Sequence, residues 1–141
     1  MKNYITFKDV KKVYKMGEVE IEALSGVNFS IDKGEFVVVA GASGAGKSTV
    51  LNILGGMDTA SSGTISVGGN EISNYNNKEL ITYRRHDIGF VFQFYNLVQN
   101  LTAIENVELA TQICENPLDT LDLIGKKRGA LISGGQIDYN R

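Results

Sequence analysis

Eight residues, Gly41 to Ser48, constrain this chain more than any other part of it. They read GASGAGKS and match the pattern G-x-x-x-x-G-K-[ST] at every fixed position. The apolar run Phe36–Ala40 comes directly before them, and a helical stretch, Ser48–Leu54, follows. A continuous apolar run is typical of a strand buried within a parallel sheet. The sequence therefore predicts a buried strand, a glycine-rich loop and a helix in direct succession.

Each residue type in this loop suits a bound phosphate. The glycines let backbone N–H groups turn inward as an anion-binding nest, and the helix N-terminus aims further N–H groups at the same point. Lys47 adds a cation for the β- and γ-phosphates, Ser48 offers a hydroxyl to Mg²⁺, and Thr49 supports the phosphates from the next position. The residues expected at the phosphates are Gly41, Ser43, Gly44, Ala45, Gly46, Lys47, Ser48 and Thr49.

Other interpretations of the loop fit less well. The simplest alternative is a glycine-rich turn that binds no ligand. The apolar run before the loop and the helical stretch after it argue against this alternative. A dinucleotide fingerprint needs glycine where this chain has Thr49. A guanine site would want Asn-Lys-x-Asp, and the nearest stretch, residues 77–80, lacks the aspartate. Adenine is therefore the predicted base.

The segments around the loop predict an α/β domain. Glu18–Ala23 and Val27–Asp32 alternate between apolar and polar residues, which is typical of antiparallel strands with one wet face. The pattern predicts a strand near Ile5 and a turn at residues 15–17. Further expected elements are strands at 64–67 and 88–92, and helices at 78–85, from a capping box at 102–105, and at 116–125.

Composition limits the partners and the compartment. Fourteen basic and sixteen acidic residues give a net charge of -2, which argues against a nucleic-acid partner. The single cysteine, Cys114, cannot form an internal disulfide and is expected to be a small buried hydrophobe. The longest apolar run, residues 36–42, is too short to span a bilayer, and no signal peptide is recognisable. These features predict a cytoplasmic protein that meets a membrane only through a partner.

Four features occur in the order found in ATP-binding cassette (ABC) transporter ATPases: Tyr14, the loop, Phe92-Gln93 and the stretch Ser133–Gln136. The resemblance runs from Tyr4 to Leu109 and is closest to the branch that serves lipoprotein release, macrolide or antimicrobial-peptide export and FtsX-like permeases. It implies a P-loop NTPase fold of ABC type. Such a fold has a parallel core sheet, an antiparallel β subdomain in front (1–34), a P-loop core (35–95), a shortened helical part (96–136) and here a tail (137–141).

The resemblance also implies roles for single residues. Tyr14 would stack on adenine, although a tyrosine packed on the sheet is the alternative. Gln93 would be a second Mg²⁺ ligand beside Ser48 and would sense the attacking water; otherwise it is a solvated polar residue. The signature motif, which binds the γ-phosphate of ATP held by a second subunit, would be Ser133, Gly134, Gly135 and Gln136. His86 does not match the family's switch histidine and is expected at the surface.

The sequence departs from the family pattern after Gln136. Ile132 replaces the usual leucine, and residues 116–131 are shorter than the family's helical subdomain. The family's apolar strand ending in Asp-Glu and its switch histidine have no counterpart in residues 137–141. That carboxylate pair holds Mg²⁺ and polarises the attacking water. The resemblance therefore implies an incomplete, truncated domain that binds ATP without hydrolysing it alone. It also leaves Phe36–Ala40 as an exposed apolar edge, prone to self-association.

The sequence alone is compatible with three functions. The first is the ATP-binding subunit of an ABC exporter, using ATP and Mg²⁺, paired with a second such subunit and a transmembrane permease at the inner face of the cell membrane. The second is a non-catalytic remnant that binds ATP or docks on an intact subunit. The third, a P-loop kinase, fits less well because only Arg84, Arg85 and Arg128 resemble an arginine-bearing lid.

Overall fold

The computed structural model describes residues 2–92, 96–112, 119–121, 131–133 and 136–138, the last two segments by their backbone alone. The chain divides into two compact units, Met1–Ile88 and Gly89–Arg141. Each unit is described by itself below.

The first unit is built on a long hairpin. Strands β1 (Ile5–Met16) and β2 (Val19–Ile31) pair antiparallel, and the turn between them uses Gly17 at φ +65°. Strand β3 (Ser62–Val67) pairs with the other edge of β1, and β4 (Asn70–Glu71) extends β3, which gives the order β2-β1-β3-β4. The predicted antiparallel β part is confirmed. Its strands are longer than predicted because bulges let the pairing continue past each break in the alternation.

Helices cover the sheet. Helix α1 (Lys47–Leu54) ends at two glycines, as predicted, with Gly56 at φ +67°. A 3₁₀ turn (Ile72–Asn74) leads to α2 (Asn77–His86). The core between sheet and helices is made of Phe7, Val10, Leu24, Val50, Ile53, Ile65, Ile72 and Tyr83. This core positions α1, and with it the loop that precedes α1, against the hairpin.

Tyr83 ties the two helices together. Its hydroxyl donates to the carbonyl oxygen of Leu54 at 2.8 Å, where α1 ends, and burial raises the pKa of Tyr83 to about 12. The Arg84 guanidinium donates to the carbonyl oxygen of Gly56. The first bond satisfies the carbonyl group of the last residue of α1, and the second satisfies a carbonyl group in the glycine turn that follows the helix.

Two predicted strands are not formed. Residues 36–40 and 88–92 have no regular secondary structure, and Phe36 and Val38 are 91% and 73% exposed. Every strand pair within the described residues is antiparallel, so the predicted parallel sheet is not formed there. The physical reason is that a strand exists only as part of a hydrogen-bonded ladder, and an apolar run does not supply its own partner.

The described part of the second unit contains helix α3 (Ala103–Thr111), a small sheet and two further helical residues, 120 and 121. Helix α3 begins with the predicted capping box: Thr102 Oγ1 accepts from the Glu105 N–H at 3.3 Å, and the Glu105 carboxylate accepts from the Thr102 N–H at 2.7 Å. Strands β5 (Leu131–Ser133) and β6 (Gln136–Asp138) pair antiparallel. Cys114 and most of the predicted helix at 116–125 lie outside the described residues. No helix in the described residues is long and apolar enough to cross a membrane.

Candidate functional site

The glycine-rich loop presents an uncapped helix N-terminus. Gly44 and Gly46 adopt φ +81° and φ +83°, and Gly46 immediately precedes α1. No side chain caps this end of α1, and its first turn contains no acidic residue. The first N–H groups of the helix are therefore not taken up by a side-chain acceptor, and the positive end of the helix dipole is not neutralised. This is the local chemistry that an anion requires.

Gly46 is also the point where the loop touches the hairpin. A Cβ atom at this position would lie 2.6 Å from the carbonyl oxygen of Ala23 and 2.8 Å from Leu24 Cδ2. Real Cβ atoms do not approach backbone oxygens so closely, so only glycine fits without moving β2. The motif predicted a glycine here, but the contact with β2 is a reason that the sequence alone did not reveal.

The Lys47 side chain folds back over the loop. Its ammonium group donates to the carbonyl oxygens of Gly41 and Ala42 at 2.8 and 2.6 Å. The cation therefore lies on the loop that precedes it. Its role at the β- and γ-phosphates stays a prediction. Ser48 lies exposed on the first turn of α1, where its hydroxyl is accessible.

Tyr14 is anchored beside this first turn. Its hydroxyl donates to Asp58 Oδ2 at 2.7 Å, and the residue is 37% exposed. The bond to the Asp58 carboxylate, together with burial, raises the pKa of Tyr14, while a hydrogen bond with the Thr49 side chain opposes the rise. Because Thr49 belongs to α1, the structure brings the predicted adenine-stacking residue next to the phosphate loop.

Sequence reasoning missed the group that anchors Tyr14. Lys12 is 9% exposed, and its ammonium donates to Asp58 Oδ1 at 2.6 Å and to the Thr59 carbonyl oxygen at 2.7 Å. Burial of Asp58 opposes its ionisation, but the hydrogen bonds from Lys12 and Tyr14 outweigh it and hold the pKa of Asp58 below its ordinary value. The two-residue spacing of Lys12 and Tyr14 on one strand was the only signal in the sequence. Asp58 lies 44 residues beyond Tyr14, and nothing in the sequence around it indicated a contact with Tyr14.

Other predicted site residues are described in part or not at all. Gln93, Gly134 and Gly135 lie outside the described residues. The backbones of Ser133 and Gln136 lie opposite each other in the β5–β6 pair. The described residues contain no cluster of three or more His, Cys, Asp and Glu side chains that could hold a metal ion. The roles assigned to the signature stretch and to Gln93 remain predictions.

Comparison with known proteins gives a consistent result. A family model described as ABC transporter matches residues 24–138. An uncharacterised ABC transporter ATP-binding protein of Thermotoga maritima is 42% identical and covers 96% of this chain and 64% of its own length. The lipoprotein-releasing system ATP-binding protein LolD of Alcanivorax borkumensis is 35% identical, and the match covers 92% of this chain and 62% of LolD. The macrolide export ATP-binding/permease protein MacB of Brucella abortus is 47% identical, and the match covers 74% of this chain and 16% of MacB.

Two of the solved structures that match are of the cassette MJ0796. The dimeric form superimposes with a TM-score of 0.76 at 43% identity, covering 87% of this chain and 53% of that one. A second structure of MJ0796, in a post-hydrolysis state bound to ADP and Pi, superimposes equally well. The α/β fold of ABC type is thus confirmed. This chain spans less than two thirds of the length of each of these relatives.

Proposed function

Since this chain belongs to the ABC transporter family, as an ATP-binding domain, we propose that it binds ATP with the triphosphate in the loop Gly41–Ser48 and the adenine against Tyr14. The observation that carries the proposal is the loop itself: an uncapped helix N-terminus behind two left-handed glycines, with the Lys47 ammonium lying over it. Tyr14 lies beside the first turn of the same helix.

Phosphate binding follows from charge and donor geometry. The N–H groups of residues 44–48 donate to phosphate oxygens. The Lys47 ammonium, which donates to the carbonyl oxygens of Gly41 and Ala42, turns instead to the more negative β- and γ-phosphates. Mg²⁺ enters with the nucleotide and shields the charge of its phosphates. The exposed Ser48 hydroxyl suits it as a ligand, and Gln93 is the proposed second ligand from this chain.

Base binding depends on the exposed part of the Tyr14 ring. A base stacked on an aromatic side chain gains about 1–3 kcal/mol, with little discrimination among bases because each has a π-face. The Tyr14 hydroxyl donates its hydrogen to Asp58, so it has none to donate to the edge of the base. We therefore expect a modest preference for adenine over guanine nucleotides.

The transport role is proposed from the relatives. LolD and MacB carry names of lipoprotein release and macrolide export, and MJ0796 forms a dimer. By analogy, this chain works at the inner face of the cell membrane, with a permease subunit and a second ATP-binding subunit. Residues 133–136 would contact the γ-phosphate bound by that second subunit, and ATP would drive closure of the pair.

For catalysis, we propose a more limited role for this chain. The sequence offers no acidic residue at the end of a suitable apolar strand to polarise the attacking water, so we propose that the 141-residue chain binds ATP without turning it over alone. A remnant that binds ATP or docks on an intact subunit is the second candidate. The ABC transporter match disfavours the kinase alternative.

The experiment that tests the proposal maps the bound phosphate on the full chain. MgADP is titrated into isotope-labelled protein, and the backbone amide resonances are followed. We expect saturable shifts of the amides of residues 44–48, because these N–H groups gain an anionic acceptor. Adenosine, which lacks phosphates, is the control ligand, and we expect it to leave the amide resonances of residues 44–48 unshifted. Saturable shifts that spare residues 44–48 would refute the assignment.

A further inference from the structure

The carboxylate of Asp58 is engaged from three directions. Its Oδ1 accepts from Lys12 Nζ at 2.6 Å and from the Thr59 N–H at 2.7 Å, and its Oδ2 accepts from the Tyr14 hydroxyl at 2.7 Å. Charge-assisted hydrogen bonds of this kind are stronger than neutral ones and fix the group that they hold. Of the three partners, Tyr14 is the one that lies at the proposed nucleotide site.

Tyr14 lies in an exposed part of the hairpin, and its hydroxyl bond to Asp58 fixes the far end of the side chain. The residue lies near the end of the hairpin, where Met16 is 68% exposed and Ile21, directly opposite Tyr14, is 48% exposed. An exposed aromatic side chain with few packing neighbours exchanges among its rotamers. The hydroxyl bond to Asp58 at 2.7 Å selects one orientation of the ring.

Lys12 completes the arrangement. Its ammonium lies over the Tyr14 ring, 4.8 Å from the centroid, as well as pairing with Asp58. A cation over an aromatic face is attracted to the ring and occupies that face. A nucleotide base is therefore left with the opposite face, at a fixed place relative to the phosphate loop.

We propose that Asp58 is a positioning residue for nucleotide binding: through the Tyr14 hydroxyl it holds the ring in the orientation that accepts the base while the loop holds the phosphates. The inference rests on the proposed nucleotide site. It adds to that site a residue that does not itself touch the nucleotide and that acts on the base alone. Preorganisation of this kind lowers the cost of ordering the ring when the ligand binds.

The test separates base binding from phosphate binding. MgATP and inorganic tripolyphosphate are titrated calorimetrically into the full chain and into the variants Asp58→Asn and Tyr14→Phe. We expect ATP affinity to fall about three- to tenfold in each variant, part of the stacking gain, with tripolyphosphate affinity unchanged. Tyr14→Phe leaves Lys12 and Asp58 paired, so it tests the tether in a chain whose ion pair is intact. The matched control is Glu20→Gln, an exposed acid on the same hairpin that pairs with Lys15 at 3.0 Å.

A double variant makes the test sharper. If Asp58 acts through the Tyr14 hydroxyl, Asp58→Asn adds little to the loss already caused by Tyr14→Phe. Equal losses for ATP and tripolyphosphate, additive losses in the double variant, or unchanged ATP affinity would each overturn the proposal. If the wild-type chain binds tripolyphosphate and Asp58→Asn binds ATP as tightly as wild type, the nucleotide site stands and only the positioning role of Asp58 is refuted. A wild-type chain that binds neither ligand would remove the nucleotide site and this inference with it.

Discussion

Replacing Gly46 with alanine is expected to weaken nucleotide binding roughly ten- to hundredfold and to destabilise the first unit by about 3 kcal/mol. Two costs combine. An L-residue held at φ +83° costs roughly 1–2 kcal/mol, and the new Cβ would lie 2.6 Å from the Ala23 carbonyl oxygen. Because that oxygen belongs to the backbone of β2, the loop must move away from the hairpin. The loss of one charge-assisted hydrogen bond to phosphate, about 1.5–3 kcal/mol, gives the stated range.

A second glycine separates the two costs. Gly69 adopts φ +89°, and an added Cβ there would meet nothing within 4 Å. Gly69→Ala should therefore cost only the backbone strain, roughly 1–2 kcal/mol by denaturant unfolding, with nucleotide affinity unchanged. Equal affinity losses in Gly46→Ala and Gly69→Ala would show that the contact between the loop and β2 does not matter for binding.

The 141-residue chain on its own is expected to hydrolyse ATP no faster than background. Phosphoryl transfer needs a neutralising metal, a positioned water and contacts that form in the transition state. Lys47 and Ser48 supply one cation and one metal ligand, and Gln93 is a proposed second ligand. The sequence contains no carboxylate pair at the end of a suitable apolar strand to complete the metal site and polarise the water. Each lost contact costs a few kcal/mol, and about 1.4 kcal/mol is already tenfold in rate.

Phosphate release from the purified chain with MgATP measures this expectation. The Lys47→Ala variant, prepared in the same way, reports any contaminating ATPase because its own site is impaired. We expect the two preparations to release phosphate at the same rate as a blank. Steady turnover that disappears in Lys47→Ala would mean that residues 1–141 suffice for catalysis.

Local features of the fold could be predicted from the sequence. The capping box at Thr102 and the glycine end of α1 depend on hydrogen bonds between residues a few positions apart, so the residue types at those positions decide them. The same holds for the phosphate loop, whose geometry needs Gly44 and Gly46 at positive φ. The alternation of apolar and polar residues indicated antiparallel strands in this region, although it predicted two short strands where β2 is continuous.

Features that depend on distant partners could not be predicted. Phe36–Ala40 has the composition of a buried strand, but strand formation requires a ladder that no local pattern specifies. The pairing of Asp58 with Lys12 and Tyr14 joins residues more than forty positions apart. A lone aspartate in a loop resembles any solvated acid, and only the packing of α1 on the hairpin gives it partners.

The loop's role in holding the nucleotide is tested most directly by the affinity of MgATP for the full chain and for Lys47→Ala, measured by calorimetry. The control is Lys8→Ala, which removes an exposed lysine from β1 and changes the net charge equally. Removing the ammonium that lies over the loop should weaken ATP binding roughly ten- to hundredfold, since a hydrogen bond to a charged group contributes about 1.5–3 kcal/mol. Lys8→Ala should bind as tightly as the unchanged chain. Equal affinity in Lys47→Ala and Lys8→Ala would contradict the assignment of this loop as the nucleotide site.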